Sequence, residues 1–299
     1  MTGLRRAPRA ALVLWQSSAV AAVMAALLAA PAAVLALVEA RPDASTATTP
    51  GLTTGLAPEN ITLWPMPVAA LVTGVVGARL LFSGDRVGRR LRAARRRHRA
   101  LVDLLAVEGT HDAPEDGRMR VLEHPTPTAY CVPGLARRVV VTRGTLDSLA
   151  ADELTAVLAH ERSHLSARHD LVLEFFTVMH EAVPRFMRST QALHSVTLLI
   201  EVLADRAAVR SVGVVATARA IVAMVGGPHP EGALGMSGSR PRSGPASVSD
   251  ARLRIDLLEG GRVLGLPNGA ASGLMYAVSG LLVAAPLALL LATVATASI

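Results

Sequence analysis

His160-Glu161-Arg162-Ser163-His164 is the segment of this 299-residue chain whose residue types and spacing most clearly specify chemistry. On an α-helix, residues four apart project from one face about one turn apart, so two imidazoles can hold one zinc ion while Glu161 stands beside it. A carboxylate so placed can take the proton of a water that attacks a carbonyl. The chain has 9 histidines, and the product of the His, Glu and His frequencies gives roughly 0.01 accidental H-E-x-x-H matches over its length. A helix that merely exposes polar side chains fits the context poorly. Leu154 to Ala159 is apolar apart from Thr155, which puts these ionisable groups at a core, where they are costly unless paired or metal-bound.

A catalytic zinc needs a third protein ligand and an open position for water. Four carboxylates are candidates. Asp170 lies six residues after His164, a separation used by metzincin-like sites, but Ala167 stands where those sites need a glycine turn. Glu174 and Glu181 come sooner than a ligand on a separate helix, and each also reads as a surface carboxylate. Glu201 is best placed, because it sits in a second helical segment with Asp205 four residues later on the same face. Tyr130, His180 and Arg206 are weaker candidates for steadying an oxyanion.

These residues need a scaffold. Leu154, Val157, Leu158, Glu161 and Leu165 recur at three and four, which predicts a helix from Asp147 to about Leu173, with a local break at Asp170, whose buried side carries part of the motif. A second helix is expected over Gln191 to Val212. Arg118 to Leu122, Thr128 to Val132 and Arg138 to Thr142 read as strands, with Pro133-Gly134 turning between the last two. The strand at Thr128 to Val132 is expected to lie at a sheet edge, where substrate could add as a further strand. A compact α+β domain over 118–225 follows, small sheet first and helices after. Gly226 to Ser249 is rich in Gly, Pro and Ser and reads as a flexible linker, with a short helix near Asp250 to Glu259 completing a 226–262 segment.

Composition places this domain at a membrane. Hydrophobic residues make up 51% of the chain, charged ones 18% and aromatics 3%, so the excess is Ala, Leu and Val, which fill transmembrane helices. Three stretches are long enough to span, at about 10–38, 60–82 and within 263–299; the first and third are uncharged, and the second is uncharged to Ala78, with Arg79 able to snorkel to the interface. The first is too long for a signal-peptide core and reads as a retained anchor. Between them, 84–117 reads as a basic helix and loop next to the membrane. Arg86, Arg89, Arg90, Arg92, Arg95, Arg96, Arg97 and Arg99 lie there, whereas the 39–59 loop holds only Arg41. By the positive-inside rule, the protein is a multi-pass cell-membrane protein with its 84–262 segment in the cytoplasm. The run touches anionic head groups on this reading. Direct nucleic-acid binding is disfavoured, because no aromatics interleave to stack bases. Cys131 is the single cysteine, which excludes a disulfide within the chain and leaves a buried, inert thiol.

Several stretches together carry a family resemblance. Ala129-Tyr130-Cys131-Val132-Pro133-Gly134, Val139-Val140-Val141-Thr142-Arg143-Gly144, Glu153-Leu154 to Asp170 and Glu201-Val202-Leu203-Ala204-Asp205 resemble peptidase family M56. That family includes the protease domain of beta-lactam sensor-transducers and is related to the M48 membrane peptidases. The resemblance covers about 85–262 and implies a zincin-like domain between transmembrane helices. It implies one Zn2+ bound by His160, His164 and Glu201, with Glu161 as catalytic base and Asp205 as a carboxylate supporting a ligand. The implied activity is a metalloendopeptidase acting on a cytoplasmic or membrane protein, with a transcriptional repressor as one such substrate. A catalytically silent signalling or scaffold protein that keeps the motif is the alternative. No extracellular penicillin-binding domain is present in the sequence, so antibiotic sensing does not carry over. Arg5 to Gln16 resembles the entry to the second span of four-span members, which points to a missing first span or a late start codon.

Overall fold

The β-branched runs form a four-stranded sheet in the computed structural model, which describes residues 3–39, 65–107, 119–134, 137–225, 245–258 and 268–297. Strands β1 (Ala106–Val107), β2 (Met119–Leu122), β3 (Ala129–Val132) and β4 (Arg138–Thr142) are ordered β1-β2-β4-β3. β2 and β4 are parallel and the other pairs antiparallel. Side chains alternate across the sheet. Ala129, Cys131, Val139 and Val141 enter the main helical core, while Tyr130, Val132 and Val140 pack with Val102 on the other side.

The helices are α1 (Pro8–Glu39), α2 (Pro65–Leu105), α3 (Arg143–Ser148), α4 (Ala151–Ser166), α5 (His169–Ala182), α6 (Thr190–Val212), α7 (Val214–Ala223), α8 (Pro245–Leu258) and α9 (Asn268–Ala297). The fold is mostly helical with a small sheet. Two compact units divide it. One comprises Met1–Leu12 and Gly84–Gly273, the other Val13–Ser83 and Leu274–Ile299. In the second unit, Thr73 Oγ1 donates to Leu27 O at 3.3 Å between α1 and α2. Among the described residues, three helices are long and apolar enough to cross a membrane: Pro8–Val34, Met66–Leu105 and Gly269–Ala292. α2 has 41 residues and is therefore about 60 Å long, twice the hydrocarbon thickness of a bilayer. Its apolar first half, about 19 residues, is by itself long enough to span.

Local chemistry explains the path into the site. After β4, Thr142 Oγ1 accepts from Thr145 N–H at 3.4 Å and starts α3. Gly144 is required there, because a Cβ would stand 1.9 Å from the Pro125 carbonyl oxygen of a crossing segment. Ala150 N–H is then held by the Glu153 carboxylate at 3.1 Å as α4 begins.

The expected helix from Asp147 to Leu173 is three helices. Its break falls at Ala167 and Arg168, ahead of the predicted Asp170, and Arg168 is left-handed at φ 53°. That reversal starts α5, which continues to Ala182. β1 and α7 were not expected. α8 begins at Pro245 inside the expected linker, and Ala251 and Leu258 are part of the main core. The compact unit therefore extends beyond 118–225. Residues 226–244 and 259–262 of the linker reading, 108–117 of the loop and the span ends 60–64, 263–267 and 298–299 lie outside the described residues.

Candidate metal centre

α4 packs against α6 more extensively than any other two elements pack together. Its buried residues are Ala156, Val157, His160, Glu161, His164 and Leu165, the spacing of one helix face. The motif therefore faces the core. α6 is central and buried on most sides, and it brings Glu201 and Asp205 to that face, both buried.

His160 Nε2 and His164 Nε2 are 3.1 Å apart. Glu201 Oε2 lies 3.5 Å from the first, and Oε1 lies 3.8 Å from the second. One ligand atom from each of the three residues falls within 4.8 Å of the others. All three side chains are buried, and neither Glu201 oxygen accepts a hydrogen bond among the described residues. Two imidazole nitrogens this close to one another and to a buried carboxylate form a donor set that could hold a metal cation. Two imidazoles and a carboxylate are a ligand set that suits zinc, which in a catalytic site takes a fourth, non-protein ligand.

A charged flank supports His160. Its Nδ1 is 2.9 Å from Asp205 Oδ1. Arg254, on α8, grips Asp205 with two donors, Nε to Oδ2 at 2.7 Å and Nη2 to Oδ1 at 2.6 Å. Arg254 Nη1 also reaches 3.3 Å from Glu201 Oε2. Burial alone would lower the His160 pKa, but Asp205 and Glu201 outweigh it and hold the ring up at about 9. Burial likewise opposes ionisation of Asp205, and Arg254 overcomes this and pulls the carboxyl down to about 2.

A neutral flank supports His164. His169 Nδ1 lies 2.9 Å from His164 Nδ1, and burial lowers His169 to about 4. With Nε2 of His164 turned to the cluster, its Nδ1–H can donate to the neutral His169 ring.

The remaining candidates are engaged elsewhere. Asp170 and Glu174 both face Arg95, at 3.7 Å and 3.4 Å, and Glu181 faces Arg90 at 3.1 Å. Tyr130 is on the opposite sheet face from Cys131, 2.9 Å from His98 Nε2. Arg206 donates to Arg6 O at 2.7 Å, and His180 lies in the last turn of α5 and is not among the grouped ligand residues. β3 forms a sheet edge, but all four of its residues are buried. Among the described residues, it therefore presents no solvent-exposed strand for the expected strand addition. Burial and then the Glu161 carboxylate raise the Cys131 thiol well above its ordinary range, in keeping with an inert thiol.

Sequence reasoning missed Arg254 and His169. Arg254 had no local signal, as one arginine among 30 basic residues in a segment read as linker and short helix. His169 had one: a histidine just past the motif, next to a helix break.

The family model of peptidase family M48 matches residues 91–227. That span holds the second half of α2, the sheet and helices α3 to α7, including all three candidate ligands. No curated protein and no solved structure matches the chain.

Proposed function

We propose that this chain is a membrane-anchored zinc metalloendopeptidase of the M48 kind. The observation that carries the reading is the buried group of His160, His164 and Glu201, whose ligand atoms lie within 4.8 Å of one another inside the segment similar to peptidase family M48. Zinc held there would polarise a peptide carbonyl and acidify the attacking water. Glu161, next to His160 on the same buried helix face, takes the proton. Asp205 fixes the orientation of His160, and Arg254 keeps Asp205 ionised. The finer M56 resemblance supports a repressor or another cytoplasmic or membrane protein as substrate. The arginines after the second span support a cytoplasmic site.

Zinc content and casein cleavage, measured on the purified full chain in detergent, test this together. Glu161→Gln keeps size and hydrogen bonding but cannot act as base, so zinc stays near one per chain while turnover falls at least about a hundredfold. Glu201→Ala leaves two protein ligands and loses most of the zinc. Wild-type protein that holds zinc without any turnover supports the silent scaffold instead. Full zinc loading in Glu201→Ala removes that ligand from the site.

A further inference from the structure

We infer that Arg95 is a positioning residue for the metal centre: it sets the start of α5, and through it the His169 ring that backs His164. The inference rests on the metal reading of His160, His164 and Glu201. It gives a separate role to one arginine of the basic run on α2.

Arg95 differs from most of that run. Arg86, Arg89, Arg90, Arg92, Arg96 and Arg97 are exposed, whereas the Arg95 side chain is only 12% exposed. A topology signal or a head-group contact works through a solvated charge. A guanidinium withdrawn from water instead needs anions beside it, and Arg95 has two. Its Nη1 lies 3.4 Å from Glu174 Oε2 and 3.7 Å from Asp170 Oδ2, whose side chains are 20% and 6% exposed. All three residues belong to one compact unit.

Asp170 and Glu174 stand one turn apart on α5, a like-charge pair that opposes the helix unless a cation lies between them. The bend ahead of them supplies no direction of its own. Arg168 is left-handed at φ 53° without a side-chain cap, a conformation that persists where surrounding contacts impose it. Asp170 follows His169 directly. The carboxylate that Arg95 holds and the buried ring that meets His164 Nδ1 at 2.9 Å therefore share the first turn of α5. A displacement of about 0.5 Å there stretches that contact beyond good hydrogen-bonding length. Arg90 and Glu181 bridge the same two helices at 3.1 Å, but Arg90 is half-exposed and Glu181 lies at the far end of α5, so this second bridge serves as the control.

Zinc affinity, read by competition with a zinc-binding dye on the full chain in detergent, tests this in a double-mutant cycle. Arg95→Gln should weaken zinc binding by about two- to tenfold, and by no more than His169→Gln does. Arg95→Lys keeps the charge but not the forked reach to two carboxylates, and should lose less. In the His169→Gln background, Arg95→Gln should cost nothing further. Arg90→Gln should bind zinc as the wild type does. Wild-type affinity in Arg95→Gln overturns the proposal, as does wild-type affinity in His169→Gln, which leaves Arg95 nothing to act through. An equal loss in both backgrounds, or the same loss from Arg90→Gln, means that Arg95 only docks α2 on α5 and overturns it too. Circular dichroism shows whether each variant folds, and if Arg95→Gln does not, the same cycle is run with Arg95→Lys. Wild-type protein that binds no zinc removes the metal reading itself, a failure seen before any variant is compared.

Discussion

The two histidines of the candidate centre are held by unlike neighbours. His160 is backed by an anion, Asp205, itself clamped by the buried Arg254. His164 is backed by a neutral imidazole, His169. The charged side fixes geometry through opposite charges that must all be present, because one buried ion left alone is expensive. The neutral side fixes it through a ring that burial keeps unprotonated. One side is strong and intolerant of partial loss, the other weaker and sensitive to acid.

Removing the clamp should have the largest effect. Arg254→Met strands the Asp205 carboxylate and should destabilise the fold by about 3 to 5 kcal/mol, seen in chemical unfolding of the detergent-solubilised chain. Arg254→Met with Asp205→Asn should recover much of that loss. A single variant as stable as wild type would mean that the clamp contributes little to folding.

Metal affinity compares the two sides directly. Asp205→Ala should weaken zinc binding by about 10 to 100 fold, the usual range for a partner behind a ligand. His169→Gln should stay at or below roughly tenfold, since a neutral partner supplies less field. Competition with a zinc-binding dye reads both, and the reverse ranking would undo the distinction.

Acid and alkali should strain opposite sides when zinc is chelated. His169 is lowered from 6.5 to about 4, so the unfolded chain binds the extra proton and stability falls as pH drops through that interval. Asp205, lowered from 3.8 to about 2, keeps its contribution until pH falls below 3.8. His160, raised to about 9, contributes below 6.5 and loses that contribution as pH rises towards 9. His169→Gln should therefore reduce the stability lost between pH 6.5 and 4 without changing the alkaline arm. An unchanged acid arm in that variant would discard His169 as its source.

The smallest effect belongs to the bend that delivers His169. Arg168 has φ 53°, a conformation that strains a residue with a Cβ, so Arg168→Gly should add up to about 1 kcal/mol after glycine's own entropy is counted. Thermal unfolding measures it, and a clear loss would show that the arginine side chain holds the bend.

Most of the charged side was legible in the sequence, because both halves are written at helical spacing. His160 and His164 lie four apart on α4, as do Glu201 and Asp205 on α6. The strands were legible too, since Val139-Val140-Val141 and its neighbours combine β-branched residues with alternation. The fastening of these parts was not. Arg254 reaches Asp205 across 49 residues, and no local period records such a contact. The bend at Arg168 carries neither glycine nor proline, so the expected break falls two residues late, at Asp170. β1 has two residues, too few to show a pattern.

That 49-residue separation also has a meaning in time. A ribosome adding about 5 to 20 residues per second makes Arg254 roughly 2 to 10 seconds after Asp205. Until then the nascent chain holds His160, Glu201 and Asp205 with one anion uncompensated, and burial of that group is opposed. The centre is therefore among the last parts of its unit to close during synthesis, and α8 is the element that closes it.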